Sequence, residues 1–128
     1  MRVLLDTHAF LWWIGDDDRL SASARAAITS AENEVFLSAA SVWEIVTKSR
    51  LGRLEIPQPS DGFIATHMET NAFEALSITI RHAFGLGSLP DLHRDPFDRI
   101  LIAQALVEEM PLVSGDQAVQ MYPVATIW

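Results

Sequence analysis

The sequence predicts an α/β fold in which a short, mainly parallel sheet is covered by helices on both faces. Three observations point there. Short apolar runs without polar alternation recur along the chain: RVLL, EVFLS, FEALSI, PLVSG and VATIW. Such runs suit strands buried on both sides. Stretches with helical spacing lie between them, the alternation expected when crossover helices join parallel strands. No repeat, low-complexity tract or linker divides the 128 residues, so one domain over residues 1–128 is expected.

Each element follows from its residues. RVLL reads as a buried strand running straight into Asp6. THAFLWWIG reads as a helix closing at Gly15, and SASARAAITSAE as a second helix with Ser21 placed to cap it. EVFLS is the second strand. AASVWEIVTKSRLG is a helix ending near Gly52, with cations in its last turn where the helix dipole favours them. IPQPSDG is a turn region, FIATHMETN a helix, FEALSI a third strand and TIRHAFGLG a short helix. PFDRILIAQALVEEM is the long buried helix. Pro96 suits its first position, where the missing N–H costs nothing, and Asp95 then becomes the N-cap. PLVSG and VATIW supply the last two strands.

Composition narrows the functional classes. Seventeen acidic residues against nine basic give a formal charge of −8. That opposes broad, nonspecific nucleic-acid binding, which needs cations to displace counterions. It favours a metal ion or a basic partner. Without cysteine there is no disulfide framework and no thiolate metal site, which is compatible with a reducing cytosol. The longest apolar run, Ala9 to Ile14, has six residues and is far too short to cross a membrane. The first residues lack the pattern of a signal peptide.

In a parallel sheet, strand C-termini and helix N-termini share one edge, and ligands bind outside it. Four carboxylates are expected at that edge. Asp6 follows RVLL, and Asp116 follows PLVSG. Asp98 takes the third position of the long helix. Glu44 lies in the first turns of the helix after EVFLS. Each also has a plainer role. Asp6 could cap HAFLWWI, Asp116 could cap the turn into QAVQMY, and Asp98 suits the helix dipole. Ser41-x-x-Glu44 matches a capping box, and Glu44 with Lys48 makes a favourable i, i+4 pair.

Convergence would change the chemistry. Two like charges about 4 Å apart repel by roughly 4 kcal/mol at an effective dielectric near 20, so a carboxylate cluster asks for a cation. All-oxygen ligands suit Mg²⁺ or Mn²⁺. The absence of cysteine, and of a histidine at helical spacing to another ligand, argues against zinc. Two divalent ions would halve the formal charge of −8 and let a polyanion approach. The chemistry that fits is two-metal phosphodiester hydrolysis. None of His8, His67, His82 or His93 has a serine in a nucleophile-elbow setting.

Four blocks then fall in order over nearly the whole chain: LLDTHAFLWW; SAASVWEIVTK with LGRL after it; LPDLHRDPFDRILIAQA; and LVSGDQAVQMYPV before the terminal IW. On these blocks the sequence resembles the PIN-domain ribonucleases, specifically the VapC-type toxins of bacterial toxin–antitoxin pairs. The resemblance implies a three-layer α/β/α sandwich and a Mg²⁺- or Mn²⁺-dependent endoribonuclease. The family's acidic positions fall on Asp6, Glu44, Asp98 and Asp116, with Asp6 and Asp98 its most dependable metal ligands. Relatives often carry Thr near the last aspartate, as in LVTxD; this chain has Ser114 and Gly115, which keeps the hydroxyl. The resemblance also implies a homodimer, a cytoplasmic location and a cognate antitoxin that covers or enters the acidic site.

Other classes fit less well. A haloacid-dehalogenase-type phosphatase needs Asp-x-Asp after its first strand, and this chain has His8 there. A receiver domain needs a late lysine, and the sole lysine is Lys48. The remaining alternative is a catalytically inactive PIN-like binding module. Lys48, Arg50, Arg53, Arg94 and Arg99 could meet RNA phosphates or simply be solvated. Trp12, Trp13 and Trp43 are expected in the core or a dimer contact, and Trp128 against the sheet.

Overall fold

The computed structural model describes all 128 residues. Five strands, all paired in parallel, form the sheet: β1 (Arg2–Leu5), β2 (Glu34–Ser38), β3 (Glu74–Leu76), β4 (Leu112–Val113) and β5 (Thr126–Ile127). Their order across the sheet is β3-β2-β1-β4-β5. The chain therefore winds outward from β1 to β3, then crosses back to lay β4 on the other side of β1. The direction of winding reverses between β1 and β4, and this is where an open α/β sheet forms its ligand crevice.

Seven helices cover both faces: α1 (Thr7–Ile14), α2 (Ala22–Thr29), α3 (Ala39–Arg50), α4 (Ser60–Thr70), α5 (Ile80–Leu86), α6 (Pro96–Glu108) and α7 (Gln117–Gln120). The layering follows from strand alternation. Val3, Leu5, Val35, Leu37 and Val113 point to one face, where Phe10 of α1, Ala24 and Ile28 of α2, Ile45 of α3 and Ile64 of α4 meet them. Leu4 and Leu112 point to the other, against α6 and Val119 of α7. In α6 six successive residues, Ile100 to Ala105, are buried. Gln104 among them is satisfied by the Ser38 hydroxyl, which donates to its Oε1 at 2.5 Å, and by Ser77 O. This is the α/β/α sandwich that the alternating pattern predicted.

Several boundaries differ from the sequence reading. The α2 helix stops at Thr29, and the Asn33 side chain folds back onto Ala27 O in the turn beyond it. The α4 helix starts at Ser60, inside the region read as a turn. Strands β3, β4 and β5 are shorter than the apolar runs around them. Gly52 adopts a left-handed φ of 72° just past α3, which explains why that helix ends there.

Register aligns the chemistry. Leu5 lies opposite Leu37 of β2 and Val113 of β4. The residues that leave these three strands are therefore Asp6, Ser38 and Ser114, side by side. The amide of Asp6 still donates to Val113 O at 3.1 Å, so its backbone is fixed by the sheet.

Candidate active site

Asp6 is the N-cap of α1, and its Oδ1 accepts from the Ala9 amide at 2.7 Å. It is only 5% exposed. Burial pushes its carboxyl above the usual carboxylate range. The Ser114 hydroxyl, the Ala9 amide and His8 pull it down, and the charge of Asp116 pushes it up again.

The next residue, Thr7, donates from its hydroxyl to Ser41 Oγ at 3.0 Å, which ties α1 to α3. This bond corrects the capping-box reading of Ser41 and Glu44. The cap of α3 is Ser38, one turn earlier, whose Oγ accepts from the Ala40 amide. Ser41 is then a buried interior residue that joins two helices. Glu44, also 5% exposed, sits one turn further on and pairs with Lys48 as the i, i+4 spacing predicted.

Asp98 occupies the first turn of α6. The cap of that helix is Asp95, as expected, accepting from the amides of Phe97 and Asp98. Burial pushes the Asp98 carboxyl up to about 6; the charges of Asp95, Asp116 and Glu44 add to the rise, and the bond to His93 opposes it. Asp116 caps α7, with Oδ1 on the Ala118 amide at 2.9 Å. Its own amide donates to Ser114 Oγ at 3.2 Å.

The four carboxylates thus come from four elements to one edge of the sheet. Asp116 is felt at both Asp6 and Asp98, and Glu44 is felt at Asp98. Each uses one oxygen on a partner within the chain: Ala9, Lys48, His93 and Ala118. No buried side-chain oxygen or nitrogen lacks a partner, so the unpaired oxygens of Glu44, Asp98 and Asp116 reach solvent. No three acid or histidine side chains stand close enough to enclose an ion as they are placed. The donor set itself fits a hard divalent cation. It is all oxygen, and burial, with neighbouring acids adding to it, raises two of its members in the direction a cation would reverse.

A cavity of about 350 Å³ opens on Asp6 and Asp116, walled by His8, Trp12, Arg19 and Trp128. A neighbouring cleft of about 540 Å³ runs from His8 and Glu44 past Lys48 and Arg53 along an apolar wall that includes Leu54 and Phe63. His8 and Arg19 were not singled out from the sequence. Arg19 grips both oxygens of Asp17 at 3.1 and 2.7 Å and lies 4.9 Å over the Trp12 ring. His8 stacks on Trp12 with ring centroids 5.3 Å apart. The run DDDRL could have suggested the Arg19 pair, but nothing local placed it beside Asp6.

The other cations divide. Arg53 lines the larger cleft, and Arg50 and Arg94 are exposed. Arg99 is structural, donating to Pro90 O and Tyr122 Oη. Trp13 packs with its indole N–H on Asn71, and Trp128 packs on Trp12 and across Gly115. Of the two places expected for Trp43, the core is excluded: it is 59% exposed, touching Phe97 edge-on, which leaves the contact with a second copy.

Residues 3–123 match the PIN domain family, and the chain belongs to it. It is similar to Ribonuclease VapC22 of Mycobacterium tuberculosis, 31% identical over 134 residues with 98% of each chain covered. Half of it also aligns with Ribonuclease VapC16 of the same organism, 38% identical over 68 residues, or 48% of that chain. The fold is shared with the structure of VapBC2 from Rickettsia felis bound to a promoter DNA fragment, at a TM-score of 0.74 and 14% identity over 98% of this chain and 97% of that one. It is shared also with VapBC-1 from nontypeable Haemophilus influenzae, at 0.68 and 14% over 98% and 96%.

Proposed function

We propose that this single PIN domain is a metal-dependent endoribonuclease toxin, hydrolysing RNA phosphodiester bonds and inhibited by a cognate antitoxin. One observation carries the reading. Asp6, Glu44, Asp98 and Asp116 come to the sheet's carboxyl edge, beside the reversal of winding, where burial, with the charge of Asp116 adding to it, makes the Asp6 and Asp98 carboxyls harder to ionise than usual. The relatives named as ribonucleases support it. The complexes of the fold neighbours support an antitoxin partner.

Asp6, Glu44, Asp98 and Asp116 are the residues that would hold Mg²⁺ or Mn²⁺. Such ions activate a water for attack on phosphorus and neutralise the attacking and leaving oxygens. The chain's part is positioning. The Ala9 amide holds one oxygen of Asp6, and His93 holds one of Asp98. Lys48, Arg53 and Arg19 at the rims supply cations toward which RNA phosphates are drawn past the net negative charge.

An antitoxin would inhibit by covering this edge, and a basic side chain on it could pair with the carboxylates. A complex with no antitoxin residue near Asp6 or Asp98 would count against that. Ile80 and Phe84, one turn apart on α5, are 73% and 76% exposed, and a second copy of the chain is the expected cover. A monomer in sedimentation would remove the homodimer. No helix is long and apolar enough to cross a membrane, and we place the activity in the cytoplasm with its RNA.

The inactive binding module has one observation in its favour. Asp6 and Asp116 cap helices and Glu44 pairs with Lys48, roles that need no catalysis. The deciding experiment is incubation of the antitoxin-free protein with a labelled pool of cellular RNA, with Mg²⁺ or Mn²⁺ and with chelator, beside Asp98→Asn. Discrete fragments that need metal and vanish in the variant support the nuclease. No cleavage by folded protein under either metal favours the binding module.

A further inference from the structure

Tyr122 is 4% exposed, yet its hydroxyl sits among polar groups. The backbone N–H of His93 donates to it at 3.2 Å, and Arg99 Nη1 donates at 2.9 Å. Those two donors use both lone pairs of the phenol oxygen. Its own proton then has an acceptor in His93 Nδ1, 2.8 Å away. An imidazole that accepts at Nδ1 carries its hydrogen on Nε2. Nε2 lies 3.3 Å from Oδ2 of Asp98. The polarity of the chain of hydrogen bonds is therefore fixed, running from Arg99 through Tyr122 and His93 to Asp98.

We propose that Arg99, Tyr122 and His93 are positioning residues for Asp98: they lock His93 as the Nε2–H tautomer, which pins Oδ2 and leaves Oδ1 turned to the acidic edge as the metal-binding oxygen. The inference rests on the metal-site reading above. The surroundings are built for it. The His93 and Arg99 side chains are each only 16% exposed. The rings of His93 and Tyr122 meet edge-on at 5.3 Å, and Arg99 is held a second time by Pro90 O at 2.9 Å. Tyr122 also lies just beyond α7, whose cap is Asp116. The relay thus ties the segment carrying Asp116 to the helix carrying Asp98. Partners of this kind orient ligands, and their removal typically weakens metal binding by about 10–100-fold.

The test uses the whole 128-residue chain, with ¹⁵N NMR of the His93 ring, Mn²⁺ titration followed by electron paramagnetic resonance, and the melting temperature of each variant. The wild type should show the Nε2–H tautomer. His93→Ala should bind Mn²⁺ about tenfold more weakly while remaining folded. His93→Gln, whose amide N–H can reach the place of Nε2, should recover most of that loss. Tyr122→Phe should weaken the tautomer preference, which Asp98 at Nε2 still favours, and weaken Mn²⁺ binding by a smaller factor. Should Tyr122→Phe fail to fold, the two His93 variants decide. An Nδ1–H tautomer in the wild type, or wild-type Mn²⁺ affinity in folded His93→Ala, overturns the proposal while the metal site stands. A wild type that binds no Mn²⁺ overturns the metal-site reading, and the proposal with it.

Discussion

Helix α6 carries an acid near each end, and the two live in opposite surroundings. Asp98, in the first turn, faces Asp95, Asp116 and Glu44, and its carboxyl is raised to about 6, first by burial and then by those charges. Glu108, in the last turn, is held below the usual range, chiefly by its bond to His82 at 2.8 Å, with Arg2 and Arg81 adding to it. The helix dipole alone predicts the reverse, since it favours negative charge at the N-terminus. Local partners outweigh it at both ends. Glu108 has its cationic and hydrogen-bonding partners within the chain and is complete as part of the fold. Asp98 is crowded by other acids, and a cation from outside would relieve it.

The largest expected effect separates the two acids by function. Asp98→Asn should lower metal-dependent RNA cleavage by at least about a hundredfold, since even partners that only orient a metal ligand cost 10–100-fold. Glu108→Gln should leave the rate per folded molecule unchanged. Parallel cleavage time courses check both, and equal losses would erase the distinction.

Next in size is stability. His82 is fully buried, accepts at Nδ1 from the Thr79 amide, and also contacts Gln104 and Glu108. Removing it leaves buried groups without partners. His82→Ala should therefore cost about 2–4 kcal/mol in urea unfolding, without touching the chemistry of the acidic edge.

Acidity then gives the two ends opposite signs. Asp98 has a folded value above its unfolded value near 3.9, so the native state binds the extra proton between about pH 4 and 6. Its ionisation penalises folding above about pH 6, and the penalty fades as pH falls toward 4. Glu108 has a lowered folded value, so its contribution is present at neutral pH and is lost only as pH drops below its unfolded value, about 4.3. In chelator, acidification from pH 7 to 5 should stabilise the wild type by about 1 kcal/mol relative to Asp98→Asn. Urea midpoints at the two pH values measure the difference. With metal present the sign turns, because protons compete for the ligand and affinity should fall below about pH 6.

An effect of similar size is expected at Gly115, beside Asp116. A Cβ there would stand 2.3 Å from Cε2 of Trp128, so the indole must move. Gly115→Ala should cost about 1 kcal/mol and shift tryptophan emission, with Asp6 and Asp98 undisturbed. An unchanged emission spectrum would show that Trp128 does not lie across this turn in solution.

Much of this molecule was legible in advance because its signals are local. Apolar runs and helical spacing follow from the periods of the two secondary structures. Asp95 and Pro96 announce the start of α6, and that start places Asp98 in the first turn. Ser41 with Glu44 shows where local matching misleads. The spacing of a capping box was present, but Ser38 ended β2 and took the cap first, which left Ser41 to bond Thr7. Trp43 was open between the core and a dimer contact for a related reason: an apolar type on a helix does not say which face it occupies.

By itself the sequence determined the order of strands and helices and the four acids at strand ends and helix starts. These depend on neighbours within a turn or two along the chain, and parallel topology then sends them to one edge. Only the tertiary structure decided that winding reverses between β1 and β4, so that Asp6 and Asp116 share a cavity. It alone brought Tyr122 onto His93, 29 residues away, and so behind the bond from His93 to Asp98, and it brought Arg19 onto Trp12. Contacts of that kind form when separate elements pack together, and burial then fixes which donor meets which acceptor. No spacing in the chain encodes them.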